Sequence, residues 1–266
     1  MVDKLIFGRF IPGDSVIHRM DPRAKLAGSF YFIAIAFLAN SWPSFLFLGA
    51  VAISGVLLSK IDLRFFLKGV RPLIWLIIFT VALQMLFTRG GTIYWSWGIF
   101  SLSQYGVQNG LFIFCRFMLI IFTSTLVTLT TPPLSMSDAI ESLLNPLKKI
   151  HVPVHEIALM LSIALRFVPT LMDETEKIMN AQRARGVDFG AGSIIQKIKA
   201  IVPLLIPLFV SSFNRAEELA TAMEARGYRG GEGRTKYRRL KWGRNDSILV
   251  VIFAIVTVGL LFLRKT

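Results

Sequence analysis

The sequence predicts an all-α integral membrane protein, with about five transmembrane helices and a cytoplasmic domain of one short and two long helices. Three observations lead there. Of 266 residues 54% are hydrophobic, and the mean hydropathy of +0.60 exceeds what water-soluble domains carry. The apolar residues gather into runs joined by turns and cationic connections. Between the fourth run and the last lie two long helical patterns that stop on the same three residues, Ala184-Arg185-Gly186 and Ala225-Arg226-Gly227. Two rods with matching cationic tips on a membrane anchor suit the gripping of two similar partners.

The formal net charge is +14. In a membrane protein such an excess reflects inner loops rich in Lys and Arg, facing anionic lipid headgroups. No recognised nucleic-acid module accompanies it, so membrane lipid is the expected partner and nucleic acid is not. The lone cysteine, Cys115, excludes an internal disulfide and sits in an apolar run, where a thiol is usually inert. Met1-Val2-Asp3-Lys4 opens a mixed, Gly-containing stretch rather than the apolar core of a cleavable signal peptide.

Residues 1–131 read as an N-terminal membrane domain with four spans, at about 25–40, 44–59, 72–88 and 106–131. Leu5 to Met20 is amphiphilic, with a Pro12-Gly13 turn, and is placed at the inner surface. Asp21-Pro22 starts the first span, Asp as cap and Pro at the first helical position, where its missing N–H costs nothing. Asn40 to Ser44 turns the chain back. These runs are shorter than the roughly 20 residues of a perpendicular span, so flanking residues must help fill the thickness. Lys60, Arg64, Lys68 and Arg71 crowd the next connection and place it, with the N-terminus, on the cytoplasmic side. The connection from Thr88 to Tyr105 reads as an outer loop, with Tyr94, Trp95, Trp97 and Tyr105 as an interfacial aromatic belt. Residues 247–266 hold the last span, which leaves the C-terminus outside; Arg264-Lys265 there runs against the charge rule.

Residues 132–246 read as the cytoplasmic domain, with helices at about 136–150, 154–185 and 194–226. Two apolar stretches inside it, Ile157 to Met172 and Ala200 to Phe213, could be mistaken for spans. If both crossed, Lys177, Arg183, Arg185, Lys197 and Lys199 would face outward, against the charge rule. Ser135 with Asp138 resembles a capping box for the short helix, whose pattern of Ile140, Leu143, Leu144 and Leu147 is disturbed at Pro146. Pro153 opens the first long helix, Gly190-Ala191-Gly192 turns the chain, and Ser193 with Gln196 caps the second. Each long helix is about 50 Å at 1.5 Å per residue. Their apolar first halves are placed along the membrane surface and their polar second halves in the cytoplasm, with a bend in the second helix at Pro203 and Pro207.

Arg185 and Arg226 have two readings. An Arg in the last turn complements the helix dipole and a following Gly is a common αL cap; equally, a planar guanidinium suits a carboxylate-lined pocket on a partner. Ala181-Gln182-Arg183-Ala184-Arg185-Gly186 and Met223-Glu224-Ala225-Arg226-Gly227-Tyr228 resemble the matched helix ends of the transmembrane T component of energy-coupling-factor transporters, bacterial ABC-type importers of vitamins and metal ions. Pro12-Gly13-Asp14-Ser15 and His18-Arg19-Met20-Asp21-Pro22-Arg23-Ala24-Lys25 resemble that family's opening signature, with Met20 where Leu is more usual. The resemblance covers nearly the whole chain. It implies that the two long helices are coupling helices. Ala184, Arg185 and Gly186 would dock in one ATPase subunit, and Ala225, Arg226 and Gly227 in its homologue (the A and A′ subunits). The apolar faces around Leu159, Met160, Ile163, Phe167, Leu204 and Leu208 would cradle a small, interchangeable substrate-binding S component that topples as ATP turns over. ATP and magnesium would be used by the ATPase partners and no cofactor by this chain, in the bacterial cytoplasmic membrane.

The remaining constellations carry little chemistry. There is no Gly-x-x-x-x-Gly-Lys-Ser/Thr match, so ATP chemistry must come from a partner. His151 and His155 have a metal-ligand spacing, but Pro153 lies between them and no ligand cluster surrounds them. Arg116 lies inside an apolar span, where an ionisable group invites a functional hypothesis; pairing with a polar neighbour such as Gln84, or snorkelling, is the plainer reading. Arg234, Lys236, Arg238, Arg239, Lys241 and Arg244 precede the last span, as a headgroup-contact cluster would. No nucleophile or carboxylate pair stands out, so an enzyme is not expected. The main rival is a conventional ABC importer permease that forms the substrate path itself; two matched tips on one chain disfavour it.

Overall fold

A computed structural model describes residues 10–97, 100–190, 193–230 and 240–264. The side chains of Trp95, Trp97, Lys197 and Arg264, and the whole of Leu5, Ala191, Gly192, Arg234, Lys236, Arg238, Arg239 and Lys265, lie outside that description. The chain divides into two compact units, Met1–Ala139 with Leu240–Thr266, and Ile140–Arg239.

The first unit is a bundle around one long helix. Its elements are α1 (Val16–Arg19), α2 (Pro22–Leu38), α3 (Trp42–Ser59), α4 (Leu63–Val70), α5 (Ile74–Phe87), β1 (Ile93–Trp97), β2 (Phe100–Ser103), α6 (Gln104–Thr130) and α10 (Arg244–Arg264). Local chemistry sets the boundaries. Asp21 caps α2 by accepting from the Arg23 N–H, with Pro22 in the first turn. Lys60 takes a left-handed conformation to end α3, and Asp62 caps α4. α6 packs against α2, α3, α4 and α5, while α10 packs on α2 and α3. Phe32, Ile35, Ala36, Leu48, Phe112, Leu119, Val256 and Leu260 form the main core.

Three features differ from the sequence reading. The cationic connection at Lys60–Arg71 contains α4, which bends by 61° into α5. The turn between them holds Pro72, which has no N–H to continue a helix. The outer connection holds an antiparallel hairpin, β1 with β2, rather than a plain loop. Arg116 is half-buried and its partner is not Gln84: its guanidinium donates to the carbonyls of Ala36 at 3.1 Å and Ala39 at 2.9 Å. Those are C-terminal carbonyls of α2, which have no donor within their own helix. The ring centroids of Phe37 and Phe45 lie 5.3 and 5.8 Å from the guanidinium carbon.

α7 (Pro133–Leu144) leads into the second unit, where a 3₁₀ turn (Asn145–Ile150), α8 (Val154–Ala184) and α9 (Ile194–Ala225) follow. The short helix expected at 136–150 is thus α7 plus the 3₁₀ turn. It begins early enough that Met136 N–H already bonds Pro132 O, so Ser135 and Asp138 lie inside it and not at its cap. The capping box at α9 is present: Ser193 N–H donates to Gln196 Oε1 at 2.8 Å, and Gln196 N–H to Ser193 Oγ at 3.4 Å. α9 runs for 32 residues without interruption through Pro203 and Pro207, and α8 likewise encloses Pro169.

Among the described residues, five helices are long and apolar enough to cross a membrane: α3, α6, α8, the Ile198–Ala225 part of α9, and α10. The bent α4–α5 pair adds a sixth if it counts as one span. α2 has 17 residues and α5 alone has 14, so both fall short by length. The protein is an all-α, multi-pass membrane protein.

Candidate functional site

Both long helices end in the same backbone device. At the end of α8, Arg185 is the C-cap and Gly186 follows with φ +87°. Gly186 N–H bonds Arg183 O at 2.9 Å and Val187 N–H bonds Gln182 O at 3.0 Å. At the end of α9, Arg226 is the C-cap and Gly227 has φ +71°. There Gly227 N–H bonds Glu224 O at 2.8 Å, and Tyr228 N–H bonds Met223 O at 3.0 Å. Both are Schellman motifs, which satisfy carbonyls that the helix leaves without donors. A Cβ added at either glycine would meet nothing within 4 Å. The glycines are therefore there for backbone conformation and not for close packing.

The cap explains Gly but leaves Arg unexplained. Ala184, Arg185, Gly186, Ala225, Arg226 and Gly227 are all exposed. Among the described residues, neither Arg185 nor Arg226 donates a side-chain hydrogen bond or joins an ion pair, whereas Arg183 bonds Asn180 and stacks over Phe189. Each tip therefore presents one unengaged planar guanidinium on a stiff turn, a geometry suited to bidentate bonds with carboxylates.

The two helices run antiparallel and are pinned by polar groups. Glu174 of α8 accepts from Ser211 Oγ and from Arg215 Nη2, the latter at 2.9 Å. Toward the α8 tip, Gln182 Nε2 donates to Pro203 O at 3.3 Å. That carbonyl would ordinarily receive the N–H of residue 207, but Pro207 has none. Gln182 thus supplies the donor that the second proline removes. Because the pairs advance along α8 as they recede along α9, the tips point away from each other. Counted from Glu174 and Ser211, they reach about 40 Å apart if the helices are straight, at 1.5 Å per residue.

The apolar residues singled out in the sequence fall mainly on the seam. Leu159, Ile163 and Phe167 lie on the face of α8 that carries Glu174; Leu204 and Leu208 lie on the face of α9 that carries Ser211 and Arg215. All five are half-buried, and only Met160, at 62% exposure, is open. The open surface is the opposite face of α9: Ile198, Val202, Leu205, Phe209 and Phe213 recur at helical spacing and are all exposed. No described side chain of α9 is buried.

His151 ends the 3₁₀ turn in a left-handed conformation, and His155 lies 3.4 Å from Glu141. No group of three possible metal ligands occurs among the described residues.

The family model of the cobalt transport protein CbiQ matches residues 13–237. The energy-coupling factor transporter transmembrane protein EcfT of Lacticaseibacillus paracasei is 63% identical over 99% of this chain and 100% of its own length. EcfT 1 of Listeria monocytogenes is 56% identical over the whole of both chains. EcfT of Bacillus subtilis is 52% identical over 99% of this chain and 100% of its own. The match runs through the bundle, both long helices and both tips, and the chain belongs to this family of transmembrane proteins of energy-coupling factor transporters.

Proposed function

We propose that this chain is the non-catalytic coupling subunit of an ATP-driven importer. It would link two homologous ATPase subunits to a small, interchangeable substrate-binding membrane protein for vitamin or metal-ion uptake. One observation carries the reading: two exposed, unpaired arginines stand on identical caps at opposite ends of one pinned helix pair. A single permease-type contact needs one such tip, and two similar partners need two. Arg185, with Ala184 and Gly186, docks in a carboxylate-lined groove of one ATPase. Arg226, with Ala225 and Gly227, docks in that of the other. Small Ala and Gly neighbours let the partner's backbone approach the guanidinium closely. ATP and magnesium are used by the ATPases, and this chain contributes no cofactor site and no reacting group.

In this reading the spans are α2, α3, α5 with its bent lead-in α4, α6 and α10, in the bacterial cytoplasmic membrane. The N-terminus and the coupling helices lie on the cytoplasmic side. α8 and the Ile198–Ala225 part of α9 are long and apolar enough to cross, yet a crossing of both would carry Lys177, Arg183, Arg185 and Lys199 outward. They lie along the inner surface instead. Met160 and the open face of α9 meet the small membrane partner and surrounding lipid, with Leu159, Ile163, Phe167, Leu204 and Leu208 packed behind.

A mild-detergent pull-down followed by mass spectrometry tests the assignment. Two homologous ATPase chains and one small hydrophobic protein are expected with the wild-type chain, and Arg185→Ala/Arg226→Ala loses the ATPases. Recovery of only a second copy of this chain with ATPase indicates a conventional permease and overturns the proposal.

A further inference from the structure

The proposed docking leaves the opening signature at residues 18–25 without a task. Its contacts are specific. Lys25 is 6% exposed, and its ammonium donates to Thr130 O at 2.9 Å, Thr131 Oγ1 at 3.2 Å and His18 O at 3.4 Å. Thr130 and Thr131 are the last turn and C-cap of α6, directly before α7, the helix along which the chain passes into the second unit at Ile140. Arg23 holds Asp21 through Nε and Nη2, the shortest contact being 2.8 Å, and also donates to Leu240 O at 3.4 Å. Leu240 is where the chain returns to the bundle. Asp246, 2% exposed, joins the same knot. Its Oδ1 accepts from Asp21 N–H at 2.9 Å and its Oδ2 from Gly243 N–H at 2.7 Å, so one carboxylate ties the starts of α2 and α10.

Three buried groups, Asp21, Lys25 and Asp246, and the part-buried Arg23 thus join the start of α2 to the last turn of α6, to Leu240 and to the start of α10. A fold needing only stability would bury apolar side chains here, since desolvating charges gains little net stability. What charged, directional bonds add is a fixed geometry. We propose that Asp21, Arg23, Lys25 and Asp246 form a clamp. It passes displacement of the second unit, Ile140–Arg239, to α2, α6 and α10 as one body, which makes these four positioning residues for transport. This rests on the coupling function proposed above. Without the clamp, motion imposed on that unit is taken up at its two junctions and does not reach the bundle.

The test is amide hydrogen exchange on the complete complex in lipid nanodiscs, with and without ATP and vanadate. For the wild type, nucleotide is expected to change exchange at both tips and in α2 and α10. In Lys25→Met the tip response persists, while the nucleotide-dependent change in α2 and α10 falls at least about threefold. Lys25→Arg, which keeps the charge and donors, restores part of it. Loss of stability alone would raise exchange in α2 and α10 equally with and without nucleotide, and that result overturns the clamp. So does an unchanged nucleotide response in α2 and α10. If Lys25→Met fails to assemble, Thr131→Val decides. It removes one clamp bond at nearly constant shape, and an undiminished response in α2 and α10 overturns the proposal. No nucleotide response at the tips of the wild type would instead refute the coupling function itself.

Discussion

Replacing Gln182 by Met measures whether a side chain of α8 stands in for a missing amide of α9. Pro207 leaves the Pro203 carbonyl without its helical donor, and Gln182 Nε2 fills the place at 3.3 Å. Methionine has similar length and no donor. The loss is one hydrogen bond at a half-buried site, about 1 kcal/mol. Gln182 is also the residue whose carbonyl closes the Schellman turn at Arg185, so the loosening should be read at the tip. A local opening free energy lower by about 1 kcal/mol speeds exchange of the Gly186 and Val187 amides about fivefold. The decisive comparison is a cycle with Pro207→Ala. Alanine restores an N–H that can bond Pro203 O, so Gln182→Met should cost close to nothing in that background, and the new amide at position 207 should be protected. If Gln182→Met accelerates tip exchange equally with Pro and with Ala at 207, the carbonyl was not what Gln182 was holding, and the reasoning fails.

The tip glycines should discriminate by conformation and not by size. Gly227→Ala strains a residue at φ +71° by about 1–2 kcal/mol and speeds Tyr228 amide exchange, whereas Gly227→Asn, which visits that region more readily, is milder; equal effects would refute this. Arg116→Met strips donors from two carbonyls of α2 at about 1–3 kcal/mol each and lowers the thermal unfolding temperature in detergent, with Arg116→Lys intermediate. An unchanged transition would show that those carbonyls find other partners. If the proposed coupling function holds, Phe209→Ser/Phe213→Ser releases the proposed small membrane partner in a pull-down while both proposed ATPases stay bound. Loss of everything, or of nothing, would remove the assigned role of the open α9 face.

Much of this architecture is written in local chemistry. Asp21-Pro22 and Ser193 with Gln196 cap helices because caps act over three or four residues. The Gly after Arg185 and Arg226 marks helix ends for the same reason. α4 was also legible: Leu63, Phe66, Leu67 and Val70 follow an i, i+3, i+4, i+7 pattern behind an Asp62 cap, which the cationic Arg64, Lys68 and Arg71 obscured. The β1–β2 hairpin carries Ile, Tyr, Trp and Phe that serve a strand or an interfacial belt equally well. The partners of Arg116 were not legible, because backbone carbonyls carry no residue signature. Nor was the choice of face on α9. A helix apolar all round gives periodicity nothing to select, and Leu204 looks like Leu205 until the polar pins are known.

Those pins decide more than burial. Ser211 and Arg215 turn one face of α9 onto Glu174, which sends Leu204 and Leu208 inward with them and leaves Leu205, Phe209 and Phe213 outside. An apolar seam alone would let two Leu- and Ile-rich helices slide past one another at small cost, since neighbouring registers bury similar area. A carboxylate that accepts from two donors on one helix has a single position of good fit. Gln182 on the Pro203 carbonyl supplies a second point, and two points on an antiparallel pair fix both register and direction. The distance between Arg185 and Arg226 is then set by helix rise and not by a flexible connection. In the coupling function proposed above, that is the condition under which closure of two ATPases, each holding one arginine, would rotate or displace the helix pair as a unit rather than stretch it.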